Sequence, residues 1–515
     1  MNKSTILLML SVSLPVLLAE SNVVAPATLT REASVDQVAL MQKQIADLQK
    51  QLAVIASQVK ERDQRRKEHH HSKEECHHAK ETHTAVVEPK QGSYAQFDKG
   101  YTAVPGTTLG VKIGGMVKLD MIYDGKSNTS EQTSISRLPY DLTVNQGVTN
   151  VGYSWKKHFY MHAKQTKLRI DSVAKNSSGR DIKAHIEGDF FGSTNWGDAV
   201  VNGATVLSTI YTFRLRHAVL AYAGLEAGHT ATTFHLEEAI LPSVDLNGID
   251  GGINRHALIR YTHKLGNFGL TAAAEHSRPD YVRFVNNNAT VRYTYNPQDS
   301  GIGKPERPDL ILKVKYSFNN GSAIGFSGVY RDLQLKSNSG SDDRNYRVTG
   351  QGVNLAAKIM TFGKSFFTGG VATGRGIGWY IAEANGRSAF LDQTKGCKAI
   401  PMTMFWAGYC QVWNPQWQTS IGVARIELNT TSFNNDVLNT TTYAVNDPGI
   451  DRTFNKFLIN TMYRPEENLE FGLEYFYLQR KSVNTNRGVG VNAANGADSN
   501  TGTGHRFQFA TSYKF

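Results

Sequence analysis

The feature that most limits what this chain can fold into is an alternation of apolar and polar residues with period two. It is cleanest over His505–Phe515, where Phe507, Phe509, Thr511, Tyr513 and Phe515 share one face and Arg506, Gln508, Ser512 and Lys514 the other. Successive side chains of a strand point to opposite sides, so this segment is a strand with one greasy and one polar face. A transmembrane β-barrel needs such strands, with lipid on one side and a wet interior on the other. A half-buried strand of a soluble domain carries the same pattern, and the rest of the sequence has to separate the two.

The start of the chain points to export. Lys3 precedes an apolar run from Ile6 to Leu18, followed by small and polar residues, the make-up of a secretory signal peptide over residues 1–27. Cleavage is expected between Ala19 and Ala27. The run falls short of the roughly 20 residues a membrane helix needs, and no later segment supplies them.

Residues 28–62 read differently. Val38, Met41, Ile45, Leu48, Leu52, Ile55 and Val59 follow spacings of three and four with polar or small residues between them. That narrow stripe is a coiled-coil seam, and a lone helix of this length is marginal in water, so it implies a partner. Ile and Leu occur in both core registers, which favours a homotrimer. One amphipathic helix lying on its own domain is the alternative. Residues 63–108 form a charged, His-rich spacer with His69, His70, His71, His77 and His78 around Cys76. These are weak metal-ligand candidates, since no spacing among them matches a closed site.

From residue 109 to 515 one texture repeats. Sixteen segments alternate, from Leu109–Tyr123 through Lys167–Val173, Lys183–Phe190, Phe213–Tyr222 and Leu225–Phe234 to Arg506–Phe515. The expected fold is therefore all-β, an antiparallel transmembrane barrel of about sixteen strands behind an N-terminal periplasmic coil, with fourteen or eighteen strands also compatible. Short turns such as Phe318–Gly321 alternate with long ones such as Gly125–Gln165 and Gly378–Ile400, the periplasmic and extracellular asymmetry of such barrels. His235–Arg255, with Glu237, Glu238, Asp245 and Asp250, fits either a loop folded inward as a constriction or an ordinary outer loop.

Several of these segments resemble one known family. Gly110–Asp120 is similar to the opening strand of DcaP-like trimeric outer-membrane porins, and Glu187–Gly192, Arg214–Ala218 and Gly228–Phe234 resemble that family's following strands in order. The resemblance implies a homotrimer of sixteen-stranded barrels behind a periplasmic coil that admits small anionic and dicarboxylic solutes. The His-rich tract and the cysteine pair depart from the family pattern.

Charge agrees with that implication. Of the formal +11, +1 lies in residues 1–19, and residues 20–108 hold twelve basic and twelve acidic groups, which leaves +10 on the barrel segment. A positive lumen between low-dielectric walls attracts anions. The period-two register turns Lys112, Lys118, Arg169, Arg214, Arg216, Arg260, Lys313 and Lys315 inward, countered by Asp120, Asp171, Glu187 and Asp189. Among these the arginines carry most weight, because a planar guanidinium matches a carboxylate. Some of the charge can instead serve outer loops that meet acidic lipopolysaccharide.

Cys397 and Cys410 flank a short stretch, and the oxidising envelope permits a disulfide between them. No catalytic motif occurs: Gly-x-Ser-x-Gly, His-Glu-x-x-His and Walker signatures are all missing from the sequence. The expectation is a porin that is not an enzyme, needs no cofactor and binds no nucleic acid. Its expected partners are two further copies, outer-membrane lipids, the barrel-assembly machinery that reads the final aromatic strand, and small anions. The rival is a barrel-anchored envelope tether or adhesin.

Overall fold

The computed structural model describes residues 100–515 apart from residues 127–155, 177, 193–199, 202–203, 206–210, 251–253, 277, 288–289, 296–304, 337–344, 385, 393–395, 430–450 and 483–500. The segments read from sequence as leader, coil and His-rich spacer, with His69, His70, His71, Cys76, His77 and His78, lie outside the described residues.

The rest is built from antiparallel strands in chain order. They are β1 (Leu109–Lys126), β2 (in two segments, Lys156–His162 and Lys167–Lys175), β3 (Asp181–Asp189) and β4 (Arg214–Tyr222). Next come β5 (Leu225–Ala231), β6 (Arg255–Leu265), β7 (Phe268–Glu275) and β8 (Asp309–Ser317). The third quarter is β9 (Ala323–Lys336), β10 (Asn345–Met360), β11 (Phe366–Arg375) and β12 (Pro401–Val412). The last four are β13 (Trp417–Leu428), β14 (Asp451–Glu466), β15 (Leu469–Ser482) and β16 (Thr501–Lys514).

Eighteen strand segments share one sheet. Thr102–Ala103 only pairs with the start of β1, and the two segments of β2 lie end to end along β1, so sixteen strands make the wall. The sheet closes because β1 also pairs with β16, from Met116 opposite Lys514 to Asp124 opposite Arg506. Closure leaves the wall without an open sheet edge, the condition for crossing hydrocarbon with strands. The expected count of sixteen holds. The loop expected over Gly125–Gln165 is shorter than its reading, because the first segment of β2 already begins at Lys156.

One rim carries short connections and the other long ones. Among the tightest is the Ala223-Gly224 hairpin, whose φ angles of 49° and 88° are both positive, as a two-residue turn between twisted strands requires. Outside, the wall is apolar: Ile113 and Leu312 are each 71% exposed. Such a surface belongs in lipid and not in water. Toward the short-turn rim the outer face gathers an aromatic belt, with ring centroids 4.6 Å apart for Phe268 and Tyr316 and 4.5 Å for both Phe367 with Tyr409 and Trp417 with Tyr463. Aromatic rings of this kind settle at a membrane interface.

The hydrophobic core is inside the barrel. Phe234, Leu236, Leu241 and Ile249 from the β5–β6 connection, and Tyr380 and Ile381 from the β11–β12 connection, pack in one buried cluster with Trp406, Phe454 and Phe476 of the wall. Both connections fold inward, which settles the two readings of His235–Arg255 in favour of the constriction. The β11–β12 connection, read from sequence only as a long loop, joins it. Inner-face glycines make the room: a Cβ on Gly422 would lie 2.4 Å from Ile249, and one on Gly472 2.6 Å from Val244.

Candidate functional site

The inner loops are fixed by buried polar groups of the wall. Glu474 on β15 accepts hydrogen bonds from the backbone N–H of Val244 (2.9 Å) and Asp245 (2.8 Å) and from the Ser243 hydroxyl (2.9 Å). Lys456 on β14 donates to the carbonyls of Asn247 (3.0 Å) and Gly248 (2.8 Å) and pairs with Glu383 at 2.7 Å, so one ammonium holds both loops. Arg331 on β9 pairs with Asp309 at 2.9 Å and donates to Gly376 and Ser388, and Arg387 reaches Asp451 at 2.6 Å. Buried charges persist only when compensated: Lys456, Arg331 and Arg387 are paired with carboxylates, and Glu474 is met by a set of hydrogen-bond donors.

These loops lie against the inner faces of the wall from β7 round to β1, with the packed cluster among them. The inner face of β2 to β6 is different, since its inward residues are charged and many stay accessible. Here Arg169, which is 51% exposed, is held by Asp171 on the same strand (2.6 Å), and His185 contacts the same carboxylate at 2.7 Å. Arg214 binds Asp189 through two parallel hydrogen bonds of 2.9 and 2.6 Å. Arg216 is buried, with Glu187 at 2.7 Å and Asp189 at 2.8 Å. Arg260 pairs with Glu226 across β5 and β6.

A β-bulge produces part of this crowding. Glu187 is opposite His217 while Gly188 is opposite Leu215, which leaves Arg216 as the extra residue. Bulges re-aim side chains, and this one turns Arg214, Arg216 and His217 to the inner face within four residues. Beyond it the parity reverses, and Leu220 faces out where Leu215 did before.

Of the residues read from sequence as lining groups, Lys112, Lys118, Arg169, Arg214, Arg216 and Arg260 are all on inward positions. They do not form one site. Lys112 is exposed toward the short-turn end of β1, opposite Asp171 in register. Lys118 is buried under the constriction loop, bonded to Gln165 (2.7 Å) and Val244 and 3.0 Å from Asp120, so it anchors the loop. Lys313 donates to the His235 carbonyl at 2.9 Å and Lys315 pairs with Glu238 at 2.6 Å, a loop-holding role as well. Sequence reasoning missed Lys167 and Arg255, which join the Arg214–Arg216 group. It also took the even face of the last strand as wet, whereas Arg506 and Gln508 are buried, Arg506 against Asp124 (2.8 Å) and Gln508 against Asp120 (2.8 Å).

The expected disulfide between Cys397 and Cys410 is absent, and both thiols are free. Cys410 points inward near the short-turn end of β12, opposite Phe366, while Cys397 belongs to a short strand, Gly396–Ala399, before that strand starts. The strand from Pro401 to Cys410 is ten residues of extended wall, which holds the pair apart.

A family model described as the porin subfamily matches residues 94–504. Among solved structures, the outer membrane channel DcaP of Acinetobacter baumannii superposes with a TM-score of 0.58 at 19% identity, over 79% of this chain and 97% of that one. An anion-selective porin from Comamonas acidovorans matches with a TM-score of 0.45 at 10% identity, over 79% of this chain and all of that one (100%). No curated protein matches in sequence. A closed wall that is greasy outside and charged within agrees with the family match over most of the length, and this chain belongs to the porin subfamily of outer-membrane channels.

Proposed function

We propose that the barrel is a diffusion channel for small hydrophilic anions, dicarboxylates among them, that works as a homotrimer with its N-terminal coil in the periplasm. The carrying observation is the charge of the wall left free by the inner loops. On β2 to β6 the inward cations, Lys167, Arg169, Arg214, Arg216, Arg255 and Arg260 among them, outnumber the carboxylates Asp171, Asp181, Glu187, Asp189 and Glu226. The excess faces a passage narrowed by two packed loops, where low-dielectric walls strengthen the field. An anion gains Coulomb attraction along this strip and keeps its water on the open side. A dicarboxylate meets cations at more than one height, from the Arg214 group near mid-wall to Lys112 toward the short-turn rim. The chain's part is positioning and electrostatics, with no chemical step.

The test is the reversal potential of purified protein in planar bilayers across a KCl gradient. An anion-directed potential is expected, shrinking at high salt as the Debye length falls to ~3 Å at 1 M. Current steps in groups of three are expected from a trimer. Cation preference or no conductance overturns the proposal.

A further inference from the structure

Pairing separates the cations of the charged wall into two kinds. Arg214 places its Nε and one terminal nitrogen on the two oxygens of Asp189, and Arg216 divides its donors between Glu187 and Asp189. Asp189 is also opposite Lys167 in the β2–β3 register, yet its oxygens are already taken by the two arginines. Lys167 is therefore a half-buried ammonium with no salt bridge or hydrogen-bonded side chain among the described residues, although it lies in the fields of Arg216, Glu187, Arg255 and Asp189. Arg255, at the start of β6, makes one side-chain hydrogen bond among the described residues: its Nε donates to Nε2 of His217 at 3.3 Å. A donor aimed at Nε2 requires a lone pair there, so the His217 proton is on Nδ1, which faces the Thr230 hydroxyl at 2.8 Å. The neutral imidazole thus orients Arg255 without cancelling its charge, and the terminal amino groups of the guanidinium stay available.

We infer that Lys167 and Arg255, oriented by His217, form the anion-binding station of the lumen, and that Arg214 and Arg216 are its structural frame. The ligand class is a small oxyanion, a carboxylate or an inorganic phosphate, which would accept from the Arg255 amino groups and the Lys167 ammonium together. This rests on the anion-channel reading and deepens it by locating the selective charge. Two guanidiniums neutralised by two carboxylates contribute little net field, whereas two uncancelled cations beside them contribute all of theirs.

The experiment compares the wild type with Lys167→Met plus Arg255→Gln, and with Arg464→Gln plus Glu470→Gln, which deletes an ion pair outside the charged strip at constant net charge. Each protein is first checked for heat-modifiable migration, so that only folded barrels are read. Reversal potentials in KCl gradients and the millimolar block of chloride current by acetate and by inorganic phosphate are then measured. The Lys167–Arg255 variant is expected to lose most of its anion preference and to bind both blockers about tenfold more weakly. The paired-deletion variant is expected to keep its selectivity. Block by phosphate alone, or by acetate alone, identifies which oxyanion the station fits. An anion-selective wild type whose selectivity and block survive loss of Lys167 and Arg255 overturns the station and leaves the channel reading standing. A wild type without anion preference overturns both.

Discussion

Arg506 shows how much one side chain carries in this wall. Its guanidinium is 1% exposed, bonds Asp124 at 2.8 and 2.9 Å and the Tyr160 hydroxyl at 2.6 Å, and reaches Asp245 of the constriction loop at 3.5 Å. It joins the closing strands and pins the loop in the same contact. Arg506→Met leaves two buried carboxylates facing an apolar chain, a loss of about 3–5 kcal/mol for a broken buried pair. The expected outcome is a lower unfolding temperature in heat-modifiability gels and noisier single-channel current. Residue identities on the inner face were legible in the sequence, because period two assigns a face without knowing the partner. Partners were not legible: that Asp189 would saturate Arg214 and Arg216 and leave Lys167 free depends on the bulge at Arg216, which no alternation of apolar and polar letters records.

At the scale of elements, strands announce themselves and inserted loops do not. The outer faces of the sixteen strands must be continuously apolar to meet lipid, and that demand writes itself into every second residue. The two inner loops obey no periodicity. Their apolar residues, such as Leu241 and Ile249, were in plain view, but a loop that is buried inside a barrel has no pattern distinct from one that is not. The complementary signal is on the wall, in inward glycines such as Gly408 and Gly422 that would clash with Leu241 and Ile249 if they bore a side chain. Gly422→Leu is expected to push the loop tip off the wall while leaving the sheet intact. The measurement is single-channel conductance together with gel migration: folded barrels with altered conductance and larger gating fluctuations fit the packing, and unchanged conductance argues that the loop does not set the passage.

At the scale of the whole molecule, the proposed coil over residues 28–62 is the part whose role depends most on other copies. Ile45→Asp with Leu52→Asp places charges at two seam positions, at several kcal/mol per layer for buried unpaired charge. Under the proposed trimer this variant should dissociate at lower temperature in native gels while each barrel still migrates as folded. A trimer unaffected by the change assigns assembly to the barrel walls alone.

The pairing of β1 with β16 also has a consequence in time. Gln508 bonds Asp120 across 388 positions of sequence, and Arg506 reaches Asp124 across 382. Every other neighbouring pair in the wall is a hairpin or a single crossing of one connection, available as soon as its second strand exists. The seam cannot form until the ring is otherwise complete, so it is the step with the largest loop-closure entropy to overcome. Until then the nascent protein is an open sheet with two unsatisfied borders, each a template for the wrong neighbour. The seam is where delivery to the membrane must hold the chain unpaired the longest, and slow-folding variants are expected to map to β1 and β16 ahead of any other pair of strands.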